Sequence, residues 1–442
     1  MSQERMKEFE WVILEGLTAY DPAANDSHTR FLPVLLNMAG MLKLTIGRLE
    51  EALNIIWEGA RLINPCRDEV LVYNKYFEGR IYLAQGKLQE ALLLTRSILE
   101  EKAYGPSHYA AGGTAVAVLE AEALYEKNDL ENSEKLLTAY ISILPTVIAV
   151  EAMIVGFRLL VRIRRAKGDA NGARHFLNDL ERIGIQRGIP RACASAHQER
   201  IRIALQDGET GYALKISGDY ADQPIWDRFN GYKMAGNDPE TPEITRIRLM
   251  IGQNRHKEVL EPLKSELKKA ESSGYFRQTL LLRILLAKAC EGYGERSLAI
   301  KYVKEAILLA QDEEFIRCFL DEGEPVPKLV YELYRITIED GHAGDGSISI
   351  EYVEKLMRAM GLVIPSPDRT SEDDSSLLDP LTNREKEILE KLALGFSNYE
   401  LADKMCISVN TIRYHLRNIF SKLGTKSRAQ AIVMARRLGL IK

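Results

Sequence analysis

The stretch GKLQEA, Gly86–Ala91, decides the reading of this chain, because its grammar recurs. A Gly or Asn, four residues, then a small residue stand again at GRLEEA (Gly47–Ala52), NDLENS (Asn128–Ser133) and GDANGA (Gly168–Ala173). They stand once more at GETGYA (Gly208–Ala213), NRHKEV (Asn254–Val259) and GERSLA (Gly294–Ala299). Successive copies lie 39, 42, 40, 40, 46 and 40 residues apart. A near-even period of this size marks an array of supersecondary units. Gly or Asn suits the left-handed backbone position that ends a helix. The flanks carry apolar residues at helical spacing, as in Leu83, Leu88, Ala91, Leu92 and Leu99. Each unit is therefore expected to be two antiparallel helices with a tight turn between them. Seven residues before each turn residue stands Gly40, Gly79, Ala121, Val161, Ile201, Ile247 or Ala287. This position and the small residue twelve further on are where the two helices can touch closely. In repeats four to six the first partner is bulky, so those hairpins are expected to splay more.

This grammar resembles the tetratricopeptide repeat, with longer helices because the period is nearer 40 than 34. The resemblance covers about residues 30–315 and implies an all-α superhelix with a concave inner face. We assign residues 1–320 to this array, as a sensor or interaction domain. Its aromatics read first as core and its charges as a solvated face. The alternative is a groove for an effector, a small anionic or polyhydroxyl molecule or an acidic peptide. Tyr73 and Tyr76 on the second repeat, with Arg158, Arg162 and Arg165 on the fourth, are its candidate lining. Residues 321–362 hold two further helical segments, near 325–338 and 348–361, expected to close the open end.

Composition agrees with a helical, globular chain. Of 442 residues, 46% are hydrophobic, 28% charged and only 7% aromatic, which excludes disorder for the bulk of it. The most apolar stretch, Thr146 to Leu160, is interrupted by Glu151 and Arg158 and is shorter than a bilayer span. The N-terminus MSQERMKEFEW is too charged for a secretory signal. Cys66, Cys193, Cys290, Cys318 and Cys406 are odd in number and widely spaced, as expected of reduced thiols in a cytoplasm. The seven histidines show no metal-ligand spacing, and no nucleophile motif or GxxxxGK[ST] loop is present. No enzyme activity, cofactor or membrane partner is expected.

Residues 363–379, VIPSPDRTSEDDSSLLD, read as a flexible acidic linker. Beyond it the charge reverses. Residues 380–442 hold 12 Lys or Arg against 5 Asp or Glu, a net of +7, and no acid follows Asp403. The whole chain carries −4, so residues 1–379 carry −11. A basic, short helical domain is the electrostatic footprint of phosphate binding. Thr382 and Glu385 form a capping box, as do Ser397 and Glu400. Ser408 can cap a third helix that buries Ile412, Leu416, Ile419, Phe420 and Leu423. A fourth helix opens at Ser427 and carries Ala431, Ile432, Ala435 and Leu438. Cys406 and Ile407 make the tight turn of a helix-turn-helix. Opposite the apolar stripe, Asn410, Arg413, Tyr414 and Arg417 suit a DNA major groove. Ser408, Thr411 and the helix start can meet a phosphate, and Lys422, Lys426 and Arg428 are expected at the DNA backbone.

These 63 residues closely resemble the DNA-binding domain of the LuxR family, at Leu381–Glu385, Gly395–Ala402, Ile407–His415 and Lys422–Gly424. The resemblance implies that the helix of residues 408–423 enters the major groove and that the fourth helix forms a dimer contact. Tyr414 departs from the small or aliphatic residue frequent at its place. A helical-repeat domain joined to such a reader resembles the large ATP-binding LuxR regulators; with no GxxxxGK[ST] loop in this sequence, the chain either works without their nucleotide-binding module or is part of a longer protein. The implied function is a cytoplasmic transcription regulator, mostly an activator in that family. Its implied partners are double-stranded DNA, RNA polymerase, an effector in the concave groove and a second copy in a homodimer. The alternative is an interaction scaffold whose last domain serves docking or dimerisation. The charge division further suggests that the acidic array restrains the basic reader until signalled.

Overall fold

A computed structural model of the chain describes residues 15, 32–63, 68–100, 110–147, 149–221, 240–339, 348–364, 381, 383–394, 396–405, 412, 415, 416, 419, 420, 422, 423, 425, 428–437 and 440. Among the described residues there are twenty α-helices, one 3-10 turn at Leu144–Thr146 and no strand. The chain divides into two compact units, Met1–Leu362 and Val363–Lys442.

The first unit is built from seven successive helical hairpins. They are α1 (Leu32–Thr45) with α2 (Leu49–Leu62), α3 (Asp68–Ala84) with α4 (Leu88–Glu100), and α5 (Ala110–Glu126) with α6 (Leu130–Ala139). Next come α7 (Val150–Ala166) with α8 (Ala170–Gln186), and α9 (Pro190–Gln206) with α10 (Thr210–Ala221). The last are α11 (Pro242–Gly252) with α12 (His256–Ser272), and α13 (Phe276–Tyr293) with α14 (Arg296–Ala310). All seven turn residues take positive φ: Gly47 82°, Gly86 81°, Asn128 66°, Gly168 79°, Gly208 76°, Asn254 60° and Gly294 92°. At Gly86 the Lys87 amide reaches back to the Tyr82 carbonyl (2.8 Å) and the Gly86 amide to Leu83 (3.2 Å), closing the last turn of α3.

The small residues do what their spacing predicts. Ala52, Ala91, Ser133, Ala173, Ala213 and Ala299 are buried, as is Val259. A Cβ on Gly40 would stand 2.6 Å from Ile56 of its own hairpin. Ser133 Oγ donates to the Ala121 carbonyl at 2.7 Å, across the predicted twelve-residue spacing. Gly79 differs: a Cβ there would meet Leu119 at 2.2 Å, so the next repeat presses on it.

The two helices of a hairpin have different surroundings. The second is amphipathic: α8 buries Ala173, Leu177, Leu180, Ile183 and Gly184 on one stripe. The first is covered nearly all round, as α13 is from Gln278 to Leu282 and from Ile284 to Ala287. First helices therefore form an inner layer and second helices an outer one.

The array also closes on itself. Tyr275, in the turn between repeats six and seven, donates its hydroxyl to the carbonyls of Leu44 and, at 3.1 Å, Thr45. Phe276 lies so close to Gly86 that a Cβ there would be 2.3 Å from its ring. After α14 the chain runs inward through the short α15 (Arg317–Leu320), then out to α16 (Val326–Glu339) and α17 (Ile350–Ala359). Phe315, Ile316 and Phe319 are buried against the inner layer.

The second unit contains α18 (Asn383–Ala393), α19 (Asn398–Lys404) and α20 (Arg428–Arg437). Its core is Leu381, Ile388, Leu389, Leu392, Leu401, Ala402, Met405, Ile412, Leu416, Ile419, Leu423, Ala431 and Ala435. Phe396, Phe420 and Ile432 pack against it. The Ser397–Glu400 box is formed both ways. The Ser397 amide donates to Glu400 Oε2 at 2.7 Å, and the Glu400 amide donates to Ser397 Oγ at 3.4 Å.

Candidate nucleic-acid interface and the repeat interior

In the second unit, Ile412, Leu416, Ile419 and Leu423 are buried. A single helical stripe at i, i+4, i+7 and i+11 thus faces the core. Ser408, Asn410, Thr411, Arg413, Tyr414, Arg417 and Lys426 lie outside the described residues, as do Thr382 and the Cys406–Ile407 turn. The two described members of the expected DNA-contacting set have partners within the unit. Lys422 Nζ pairs with Glu385 Oε2 at 2.9 Å, with 17% and 4% of the side chains exposed. Arg428 donates to the carbonyls of Leu392 (3.0 Å) and Phe396 (2.9 Å), tying the first residue of α20 to the end of α18. Arg384 similarly donates to the Met405 carbonyl at 2.9 Å, at the end of α19. The basic residues nearest the core thus hold the helices together. His415 is held below its ordinary value, chiefly by burial and against the pull of Glu385.

In the first unit, the expected effector groove is differently made from its sequence reading. Tyr76 is 1% exposed and sits in the core; burial pushes its hydroxyl up to about 12. Tyr73 lies beside Phe77, with ring centroids 6.4 Å apart and the rings tilted by 31°. Arg158 and Arg162 are brought together, but around a carboxylate from the neighbouring repeat. Arg162 grips Glu199 with Nε at 3.2 Å and Nη2 at 2.9 Å, Arg158 approaches it at 3.6 Å, and Arg202 reaches it from the same helix. Arg165 is not with them; it pairs with Asp207 at the turn of repeat five. Arg158 and Arg162 thus form part of an interior ion cluster rather than an open basic strip, while Arg165 stays partly exposed at a turn.

That cluster extends around the inner layer. Arg80 and Arg277 share Glu122, and Arg277 also holds Glu126. Arg248 holds Glu240 (2.7 Å) and Glu322 (2.6 Å), and Lys288 approaches Glu322. Burial pushes Glu199 up, but Arg162, Arg202 and Arg158 outweigh it and keep the carboxyl well below its usual range. Glu322 is held at about 2 in the same way by Arg248 and Lys288. Glu126 goes the other way, because burial outweighs Arg277.

The sequence contains a signal for this cluster in the repeat register. Six residues before the turn stand Arg80, Glu122, Arg162, Arg202, Arg248 and Lys288, charged in six of seven repeats. One residue after the close-packed position is one helical step, about 100°, around the first helix. That step places each charge toward the interior rather than toward its own hairpin partner. Among the described residues no group of His, Cys, Asp or Glu is placed to hold a metal ion, and no helix is long and apolar enough to cross a membrane.

Comparison with known proteins agrees with this architecture. Residues 23–335 match the MalT-like TPR region, and residues 379–435 match the luxR family of bacterial regulatory proteins. The chain is 27% identical over 303 residues to the HTH-type transcriptional regulator MalT of Cronobacter sakazakii. It is 26% identical to the MalT of Klebsiella pneumoniae strain 342 over the same length. Each match covers 63% of this chain and 31% of the relative, so the chain spans about a third of the curated relatives it matches. The seven hairpins and the helix-turn-helix core together carry the assignment: the chain belongs to the MalT-like TPR-region family and ends in a luxR-family regulatory domain.

Proposed function

We propose that this protein is a DNA-binding transcription activator of the cytoplasm, in which the repeat array senses a small-molecule or protein effector and controls the C-terminal reader. The observation that carries the reading is the reader's buried stripe, Ile412, Leu416, Ile419 and Leu423, within a luxR-family match. By helical spacing in the sequence, the residues expected opposite this stripe are Asn410, Arg413, Tyr414 and Arg417. Arg413 and Arg417, one turn apart, are the groove-facing pair; Ser408, Thr411 and Lys426 serve the phosphates. A homodimer reads two half-sites about one helical turn apart. Activation proceeds through contact with RNA polymerase.

A gel-shift titration at several salt concentrations tests this. Arg413→Ala and Arg417→Ala should each weaken binding to a selected operator by roughly 1–3 kcal/mol. If both variants bind like the parent, the recognition helix is misassigned. If no genomic fragment shifts at all, the scaffold reading takes over, with the last domain acting in docking or dimerisation.

A further inference from the structure

The segment that follows the last hairpin occupies the interior of the array, and its contacts are unusually far-reaching. Glu313 accepts from the Gln89 amide of repeat two at 3.0 Å. The Ile316 amide donates to the Glu126 carbonyl of repeat three at 2.8 Å, and Tyr125 donates to Asp321 Oδ2 at 2.6 Å. The Asp321 carbonyl accepts from Gln206 (2.5 Å) and Arg202 (3.5 Å) of repeat five. Glu322 is gripped at 2.7 and 2.6 Å by Arg248 of repeat six and approached by Lys288 of repeat seven. Eleven residues, 313–323, thus tie five of seven repeats together. On their other side sits α17, the last helix before the linker. Tyr352 donates to the Phe315 carbonyl, Lys355 pairs with Glu314 at 2.8 Å, and the Ser349 amide donates to Gln311 at 2.9 Å.

We propose that residues 313–323 are an internal acidic strap, and that a small carboxylate or phosphate anion acts on this protein by replacing Glu322 at Arg248 and Lys288. The proposal rests on the reading that the array senses an effector, and names the effector's chemistry. Two physical arguments favour it. The cavity beside Glu322, lined by Arg162, Arg248 and Arg277 together with Glu126, Glu240 and Asp321, measures about 30 Å³, room for roughly one water. A ligand therefore enters only as the strap withdraws, so binding and strap position are linked. Withdrawal into water alone would leave Arg248 and Lys288 buried with less compensation, which is costly. Exchange for another anion keeps their charge matched, so an anion can drive the step and a neutral molecule cannot. Because α17 rests on the strap, withdrawal moves the support of the helix that leads to the reader.

Hydrogen exchange on the full chain tests this, read in peptides covering 311–324 and 349–362. Glu322→Gln keeps the shape and removes the charge, and Asp321→Asn serves as a second variant. Both peptides should exchange about tenfold faster or more in Glu322→Gln, while α7 and α8 keep the parent rates. Unchanged strap exchange in both variants, or equal acceleration in all seven hairpins, overturns the strap. Glutarate and inorganic phosphate are then titrated, with glucose as a neutral control. A saturable acceleration of the two peptides by either anion, at lower concentration in Glu322→Gln than in the parent, supports the anion class. No effect of either anion, or an equal effect of glucose, overturns it. A metabolite thermal-shift screen separates the two readings: a neutral effector that leaves strap exchange alone keeps sensing and removes the strap.

Discussion

The two units use arginine and lysine in opposite ways. In the repeat unit, the cations six residues before the turns of repeats two, four, five and six are drawn inward, where Arg80, Arg162, Arg202 and Arg248 all meet carboxylates. In the second unit the sequence runs from Lys404 to Lys442 with nine basic residues and no acid. Lys422 and Arg428 are bound within the unit; nothing acidic in that run offsets the others. The difference teaches that net charge is a poor guide here and local pairing a good one. The chain's −4 is the sum of −11 over residues 1–379 and +7 over residues 380–442, and neither figure tells which charges are paired.

The sharpest way to break this contrast is to remove one shared acid from each unit. Glu199 is 1% exposed and touches Arg158, Arg162 and Arg202. Glu199→Ala removes the carboxylate that three crowded cations share and should cost roughly 3–5 kcal/mol. Glu385→Ala removes the partner of a single lysine, Lys422, whose side chain already reaches solvent, and should cost about 1 kcal/mol. Urea unfolding followed by tryptophan fluorescence reads the first variant cleanly, because Trp11, Trp57 and Trp226 all lie in the repeat unit. Equal losses in the two variants, each followed in its own unit, would end the distinction.

A pH titration of the same fluorescence signal sharpens it further. His197 is buried and held at about 4, first by burial and then by Arg200, against Glu181. A histidine kept neutral in the folded state costs stability as pH falls from its unfolded value near 6.5 toward 4. Glu199 and Glu322 are depressed, so their contribution is complete above the unfolded value near 4.5 and is lost as pH falls below it. Stability should therefore decline in two stages, one below 6.5 and one below 4.5. His197→Gln should shrink the upper stage, to which the less buried His256 also contributes, and leave the lower. If it shrinks neither, buried histidine does not set the acid sensitivity of the array.

Much of the fold was legible because helix-ending chemistry is local. Gly86 and Asn128 stop a helix for reasons confined to their own backbone, and Ala91 and Ser133 mark close packing one hairpin away. The core stripe of the reader was legible on the same ground. The interior was not, because a charge carries no local sign of its partner. Arg162 reads as solvated until Glu199, thirty-seven residues on, is brought beside it. The segment of residues 313–323 reads as part of a closing element, and only the curvature of the array brings Glu322 to Arg248, seventy-four residues earlier. The phase six residues before each turn would have exposed the pattern, had charge been aligned by repeat.

The smallest expected effect is also the finest test of the contrast. A lysine that meets a DNA phosphate contributes about 0.9 to the slope of log affinity against log salt. Lys422 was expected at the DNA backbone, yet its ammonium stands 2.9 Å from Glu385, which is 3% exposed. If that pair persists on DNA, Lys422→Ala removes no phosphate contact, and the salt slope should change by well under 0.9. The same substitution removes the Lys422–Glu385 pair, so the reader should lose about 1 kcal/mol of stability. Lys426→Ala, with no acid in its stretch of sequence, should do the reverse: lower the slope by about one contact and leave stability nearly unchanged. A full-contact drop for Lys422→Ala would mean that the lysine leaves Glu385 for the phosphate when DNA binds, making the pair part of the interface.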